Sequence, residues 1–195
     1  MIRIRRPEAP LVLGLLISLA ACSSPNPVLY TIVPVPGAEQ ATSPKVILVQ
    51  QIGLERYLER SQIVRSSEDY KLDVMSNDWW GEPLGAMLNR VLVDELQQRL
   101  PRSVVISEAG AVSAPADATV TLNVQRMDED ASGNLILQSQ AGIFFKGRAA
   151  PVLHNFRFSI APGAPGVRGE VAAISTAVGQ LADGLAALLA ARPGR

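Results

Sequence analysis

The sequence predicts an α+β domain in which a mostly antiparallel sheet carries two long helices packed on one face, in two layers. Three observations predict it. Apolar residues recur at three- and four-residue spacing before Leu100, and again in the last part of the chain, marking two long helices. Before and between them lie short β-branched runs and alternating segments separated by turn residues, the pattern of strands and hairpins. Strands followed by a helix, more strands and a final helix give a sheet that buries one face against the helices.

The chain opens with Arg3, Arg5 and Arg6, then an apolar run from Ala9 to Ala21, the layout of a secretory signal. The run is short of the ~20 residues that a spanning helix needs. It ends in Leu19-Ala20-Ala21 directly before Cys22, the only cysteine, and resembles the bacterial lipobox. A thiolate is the side-chain nucleophile best suited to thioether formation, and small residues before it let the backbone lie extended in a peptidase groove. An ordinary signal with an incidental cysteine is the competing reading. We therefore expect residues 1–21 to be a lipoprotein signal peptide, with Cys22 as the acylated first residue of the mature chain. Two or more acyl chains make such an anchor stable. Ser23, and not Asp, follows the cysteine, which in Gram-negative lipoproteins generally means export to the outer membrane.

Residues 22–43 form the expected lipidated tether, rich in proline (Pro25, Pro27, Pro34, Pro36), with Val28 to Ile32 as one docking segment of strand propensity. Residues 44–195 are the expected single periplasmic domain. Lys45 to Gln50 reads as a buried strand, and Leu54 to Arg60 as a loop or single helical turn. Gln62 to Arg65 and Tyr70 to Met75 read as a hairpin. The first long helix is expected from about Trp79 to Leu100. Leu84, Met87, Leu88, Val91, Leu92, Leu96 and Leu100 lie on one stripe, with Asn89, Arg90, Asp94, Gln97 and Arg99 opposite. Asn77 or Asp78 is its expected cap, Pro83 falls in its first turn, and Pro101 stops it. Ser103 to Ser107 is a further strand. Ala118 to Met127 and Leu135 to Phe145 flank the polar stretch Asp128 to Asn134, a hairpin loop whose charges read as a solvated tip. Val152, His154, Phe156, Phe158 and Ile160 alternate with Leu153, Asn155, Arg157 and Ser159 as another half-buried strand, and about Glu170 to Ala191 is the last helix. Its Ala-rich turns allow close approach to the sheet.

Without the signal, 174 of the 195 residues remain, enough for one domain with a proper core. The signal removes three of 18 basic and one of 18 acidic residues, leaving a net charge of −2. No basic excess remains to attract nucleic acid. No constellation for catalysis stands out. His154 is the only histidine, no Gly-x-Ser-x-Gly elbow accompanies it, and zinc would need several His or Cys. The reading is a non-enzymatic protein with no cofactor besides covalent lipid on Cys22.

Leu29-Tyr30-Thr31-Ile32 follows the lipidated cysteine, Val46 to Val49 leads to Tyr57-Leu58-Glu59-Arg60-Ser61-Gln62-Ile63-Val64, and Asp78-Trp79-Trp80-Gly81-Glu82-Pro83-Leu84 precedes the long helix. In order and spacing these segments resemble the PqiC-like ABC-type transport auxiliary lipoproteins, over nearly all of the mature chain. The resemblance implies an outer-membrane lipoprotein on the periplasmic face that docks a periplasm-spanning MCE-domain protein. An inner-membrane transporter component completes that system, which moves phospholipid and supports envelope integrity. A ring-shaped MCE partner implies a homo-oligomer. Trp79, Trp80, Tyr57, Leu58 and Ile63 are the candidate partner-binding residues, set against a bland reading in which they pack the core. The alternatives are a periplasmic lipid-binding shuttle and an assembly factor for an outer-membrane β-barrel.

Overall fold

The computed structural model describes residues 26–41 and 44–191. The signal peptide and Cys22 lie outside the described residues. Nine strands and two long helices follow in the order β1 (Val28–Tyr30), β2 (Val46–Val49), β3 (Gly53–Leu54), β4 (Gln62–Ser66), β5 (Asp73–Trp80), α1 (Leu84–Arg99), β6 (Val104–Ser107), β7 (Ala118–Glu129), β8 (Leu135–Phe145), β9 (Val152–Ile160) and α2 (Val167–Ala190), with a 3-10 turn at Arg56–Leu58. The α+β class expected from sequence stands, and the sheet is mixed. Its two longest ladders, β7 with β8 and β8 with β9, are antiparallel, whereas β2, β3 and β4 lie parallel to β7.

The long strand β7 organises the sheet. One edge pairs with β8 along its whole length; the other is shared in turn by β2 (Ile47 beside Ala118), β3 (Gly53 beside Asn123) and β4 (Ser66 beside Glu129). From β2 the sheet extends to β6, and from β4 to β5 and β1. Alternation sends Ile47, Val49, Val120, Leu122, Val124, Leu137 and Ile143 to one face, where the apolar stripes of α1 and α2 cover them.

The helix α1 starts at Leu84, not near Trp79. Trp79 and Trp80 end β5 instead, because β1 and β4 pair with them: Leu29 beside Trp79, Tyr30 beside Trp80, and Gln62 beside Trp79. Asn77 and Asp78 are therefore strand residues, and Pro83 occupies the cap position without a side-chain hydrogen bond. Asn89 and Arg99, expected on the solvent side of α1, are buried. Asn89 donates to the Gln50 carbonyl at 2.9 Å and accepts from the Ser107 hydroxyl, tying the helix to β2 and β6.

Arg99 is covered by the segment after β1. Residues 31–40, expected to belong to the tether, lie across the groove between the two helices. The N–H groups of Val33, Val35 and Gly37 donate to the side chains of Ser175, Glu95 and Gln98 at 3.2, 2.7 and 3.1 Å. Pro34 and Pro36 alternate with them, so the backbone has no donor where no acceptor faces it. Ile32 reaches the core with 1% of its surface exposed. Beneath the strap, Arg99 donates to Asp183 at 2.6 Å and to the Gly179 carbonyl at 3.0 Å. Glycines permit these approaches: a Cβ on Gly179 would lie 3.0 Å from Val35, and one on Gly184 would lie 2.5 Å from the Phe156 ring of β9.

Among the described residues α2 alone is long and apolar enough to cross a membrane. It is nonetheless a core helix, with Ile174, Ala177, Val178, Leu181, Leu185 and Leu189 buried against α1 and the sheet.

Candidate functional site

The five candidate partner-binding residues gather in the wing of the sheet made by the 3-10 turn, β4 and β5. Their exposures differ sharply. Leu58, Ile63 and Trp80 are buried, at 3%, 1% and 7%. The Trp80 N–H donates to the Ser61 carbonyl at 2.8 Å, and its ring closes the core where β5 leads into α1. Trp79, one residue earlier and on the opposite face, is half-buried, with its indole N–H donating to the Ser76 carbonyl at 3.2 Å. Directly across the ladder stands Leu29, 63% exposed. Of the five, Trp79 and Tyr57 keep accessible side-chain surface, and Trp79 with Leu29 makes an outward apolar pair on the sheet face away from the helices.

Tyr57 has a second task. Its hydroxyl donates to Asp128 at 2.8 Å, as does that of Ser67, and Arg126 donates to the other oxygen of Asp128 at 2.8 Å. Arg126 also reaches Glu68 and the Glu129 carbonyl. Burial, then the hydrogen bond and charge of Asp128, push the Tyr57 phenol well above its ordinary range. Asp128 is fully buried, which corrects the reading of Asp128 to Asn134 as one solvated tip. The strand runs on to Glu129 after an irregularity of register between Val124 and Arg126. That shift sets Asp128 under the 3-10 turn, where three donors compensate its charge. Only Asp130 and its successors form the turn, with the Asp130 carboxylate accepting from the N–H groups of Ser132 and Asn134, both at 2.9 Å.

This cluster is a brace and has no catalytic geometry. Ser67 meets a carboxylate with no histidine between them, and His154 is exposed on β9, its ring 4.5 Å from that of Phe156. Among the described residues no three His, Cys, Asp or Glu side chains assemble as metal ligands. A gap between sheet and helices, lined by Leu88, Leu92, Leu122, Leu137, Val178 and Leu181 among others, has a volume of about 10 Å³. That is room for one water. A shallow groove of about 250 Å³ lies on the opposite sheet face, among Gln51, Thr121, Asn123, Gln140 and Leu153.

Residues 30–186 match the family described as the ABC-type transport auxiliary lipoprotein component. The chain belongs to that family. The auxiliary lipoprotein is 31% identical over 109 residues to the intermembrane transport lipoprotein PqiC of Escherichia coli (strain K12) and equally to that of Shigella flexneri. Each match covers 53% of this chain and 58% of the relative, so the chain spans little more than half the length of the curated relatives it matches. Two crystal structures share the fold. One, of an uncharacterized protein, has a TM-score of 0.69 at 18% identity, covering 83% of this chain and 97% of the other. The second, from Xanthomonas campestris, has a TM-score of 0.67 at 15% identity, covering 82% and 92%. Membership makes the protein an auxiliary lipoprotein component of a transport system. The wing is legible in the sequence as the Tyr57 to Val64 and Asp78 to Leu84 segments. Asp128 and Arg126 carried no such signal, because their partners lie about 60 to 70 residues away.

Proposed function

We propose that this lipoprotein is the outer-membrane subunit of an MCE-type lipid transport system. Covalent lipid on Cys22 holds it to the periplasmic face of the outer membrane. The folded domain docks the distal end of a periplasm-spanning MCE-domain protein, whose inner-membrane component completes the path, and several copies surround the tunnel end. The lipobox, the family and the intermembrane-transport name of the relatives support this placement.

The observation that carries docking over lipid carriage is the filled core. A shuttle needs an apolar cavity of a few hundred Å³ for its cargo, and among the described residues the gap between Leu88, Leu92, Leu122, Leu137, Val178 and Leu181 holds about one water. The outward pair Trp79 and Leu29 supplies the kind of aromatic contact that dominates protein interfaces. In-cell photocrosslinking from position 79 tests the reading. Capture of an MCE-domain protein supports it. Capture of a β-barrel protein instead replaces it with the assembly-factor reading, and phospholipid bound stoichiometrically to the purified domain replaces it with the shuttle.

A further inference from the structure

The hairpin between β4 and β5 turns through an unfavourable backbone. Asp69 and Tyr70 both have positive φ, 53° and 59°, and the Lys71 N–H donates to the Glu68 carbonyl at 3.1 Å. Tight turns of this hand favour Asn-Gly, and a left-handed conformation costs a residue such as tyrosine about 1–2 kcal/mol. The turn holds Tyr70 fully exposed (108%), with Leu72 beside it at 39%. Inside the domain this outward aromatic buries nothing: the positive φ values close the turn, and the fold does not require a tyrosine to adopt them.

The path of the chain indicates what the ring faces. β1 enters the sheet parallel to β5, with Val28 beside Asp78. The chain therefore arrives from the side on which β5 begins, and β5 begins at this hairpin. Cys22 precedes Val28 by six residues, a reach of at most ~21 Å. From Asp78 back to Asp73 the strand covers about 17 Å. An acylated Cys22 thus keeps its bilayer level with the hairpin tip or closer to the domain. The neighbouring tip, Asp130 to Asn134, lies at the same end of the sheet, since Ser66 pairs with Glu129, and it is polar and satisfied by its own hydrogen bonds.

We propose that the β4–β5 tip, Tyr70 and Leu72 with the Lys71 amine between them, inserts into the phospholipid interface of the membrane that holds the anchor. The inference rests on lipidation of Cys22. A tyrosine ring suits the headgroup boundary, apolar in its body and hydrogen-bonding at its tip, and a lysine there meets lipid phosphates. The domain then stands on two points, acyl chains and hairpin, which fixes which end faces the membrane.

The test uses the full mature chain, extracted from membranes with its anchor and reconstituted into phosphatidylethanolamine/phosphatidylglycerol vesicles. With Cys22 acylated, Tyr70→Cys and Leu72→Cys each offer one thiol for an environment-sensitive fluorophore. Ala149→Cys, in the exposed β8–β9 loop at the far end of the sheet, is the control. The expected result is a blue shift and loss of emission at 70 and 72 with lipids spin-labelled high on the acyl chain, and no change at 149. Vesicle flotation with no quenching at 70 or 72, or with equal quenching at 149, overturns the proposal and leaves the anchor intact. Loss of flotation refutes the anchor itself, and the proposal falls with it.

Discussion

Replacing Glu170 with glutamine should stabilise the domain at neutral pH and leave it unchanged in acid. Glu170 lies in the first turn of α2, is 1% exposed, and its Oε1 has no hydrogen-bond partner among the described residues. Burial, then the negative charge of Glu129, push its carboxyl up to about 8 from 4.5, while Arg65 pulls the other way. The native state therefore keeps a proton that the unfolded chain releases above its own pKa of 4.5. Stability is full below that pH and falls as pH rises through the folded value near 8. At pH 7 the deficit is 1.36 kcal/mol per unit over about 2.5 units, or roughly 3 kcal/mol. The helix N-terminus and local relaxation favour the anion and reduce this, so about 1–3 kcal/mol is the expected gain for Glu170→Gln, which keeps the shape and has no proton to lose. Urea unfolding at pH 4 and pH 7 reads it: nearly equal stabilities at pH 4, and a higher midpoint for the variant at pH 7. Glu95, pushed up to about 7 mainly by burial, leaves a smaller slope of the same sign in both proteins. Parallel pH profiles for wild type and variant, or equal destabilisation at both values, would refute the argument.

Two further outcomes are expected. Asp128→Ala strands Tyr57, Ser67 and Arg126 together and should cost about 3–5 kcal/mol in urea unfolding, whereas Tyr57→Phe removes one hydrogen bond and should cost about 1 kcal/mol. Trp80→Ala should cost about 3–5 kcal/mol, because a buried ring leaves a cavity, while Trp79→Ala should change stability by less than about 1 kcal/mol and act on partner capture instead.

The helices, the α+β class and most strands were legible because each depends on a local period. The stripe Leu84 to Leu100 repeats every three or four residues whatever it packs against, and all seven of its members are buried. What depended on distant chain was not legible. Trp79 and Trp80 continue a helical pattern as well as a strand, and pairing with β4 and with β1, about 50 residues earlier, decides between them. Arg99 belongs to the polar side of α1 by period, yet the strap and Asp183 bury and satisfy it. Asp128 reads as a solvent-facing charge until Tyr57 and Ser67 are folded over it. In the candidate site, the Tyr57 and Trp79–Trp80 segments were singled out by the family resemblance, and which tryptophan faces outward is decided by strand pairing.

The shared edge of β7 also sets the order in which the chain can complete itself. β8 and β9 meet β7 and each other through short turns, so that half closes from local contacts. By contrast β2, β3 and β4 wait for a partner that lies 63 to 71 residues further along, as in Ile47 beside Ala118, Gly53 beside Asn123 and Ser66 beside Glu129. Such contacts form slowly, since a long loop must close before they gain anything. During that interval Val46 to Val49, four apolar residues with both edges unpaired, is the stretch most prone to bind another unfinished chain. Mutations that slow docking onto β7 will therefore lower the yield of folded protein more than they lower its final stability.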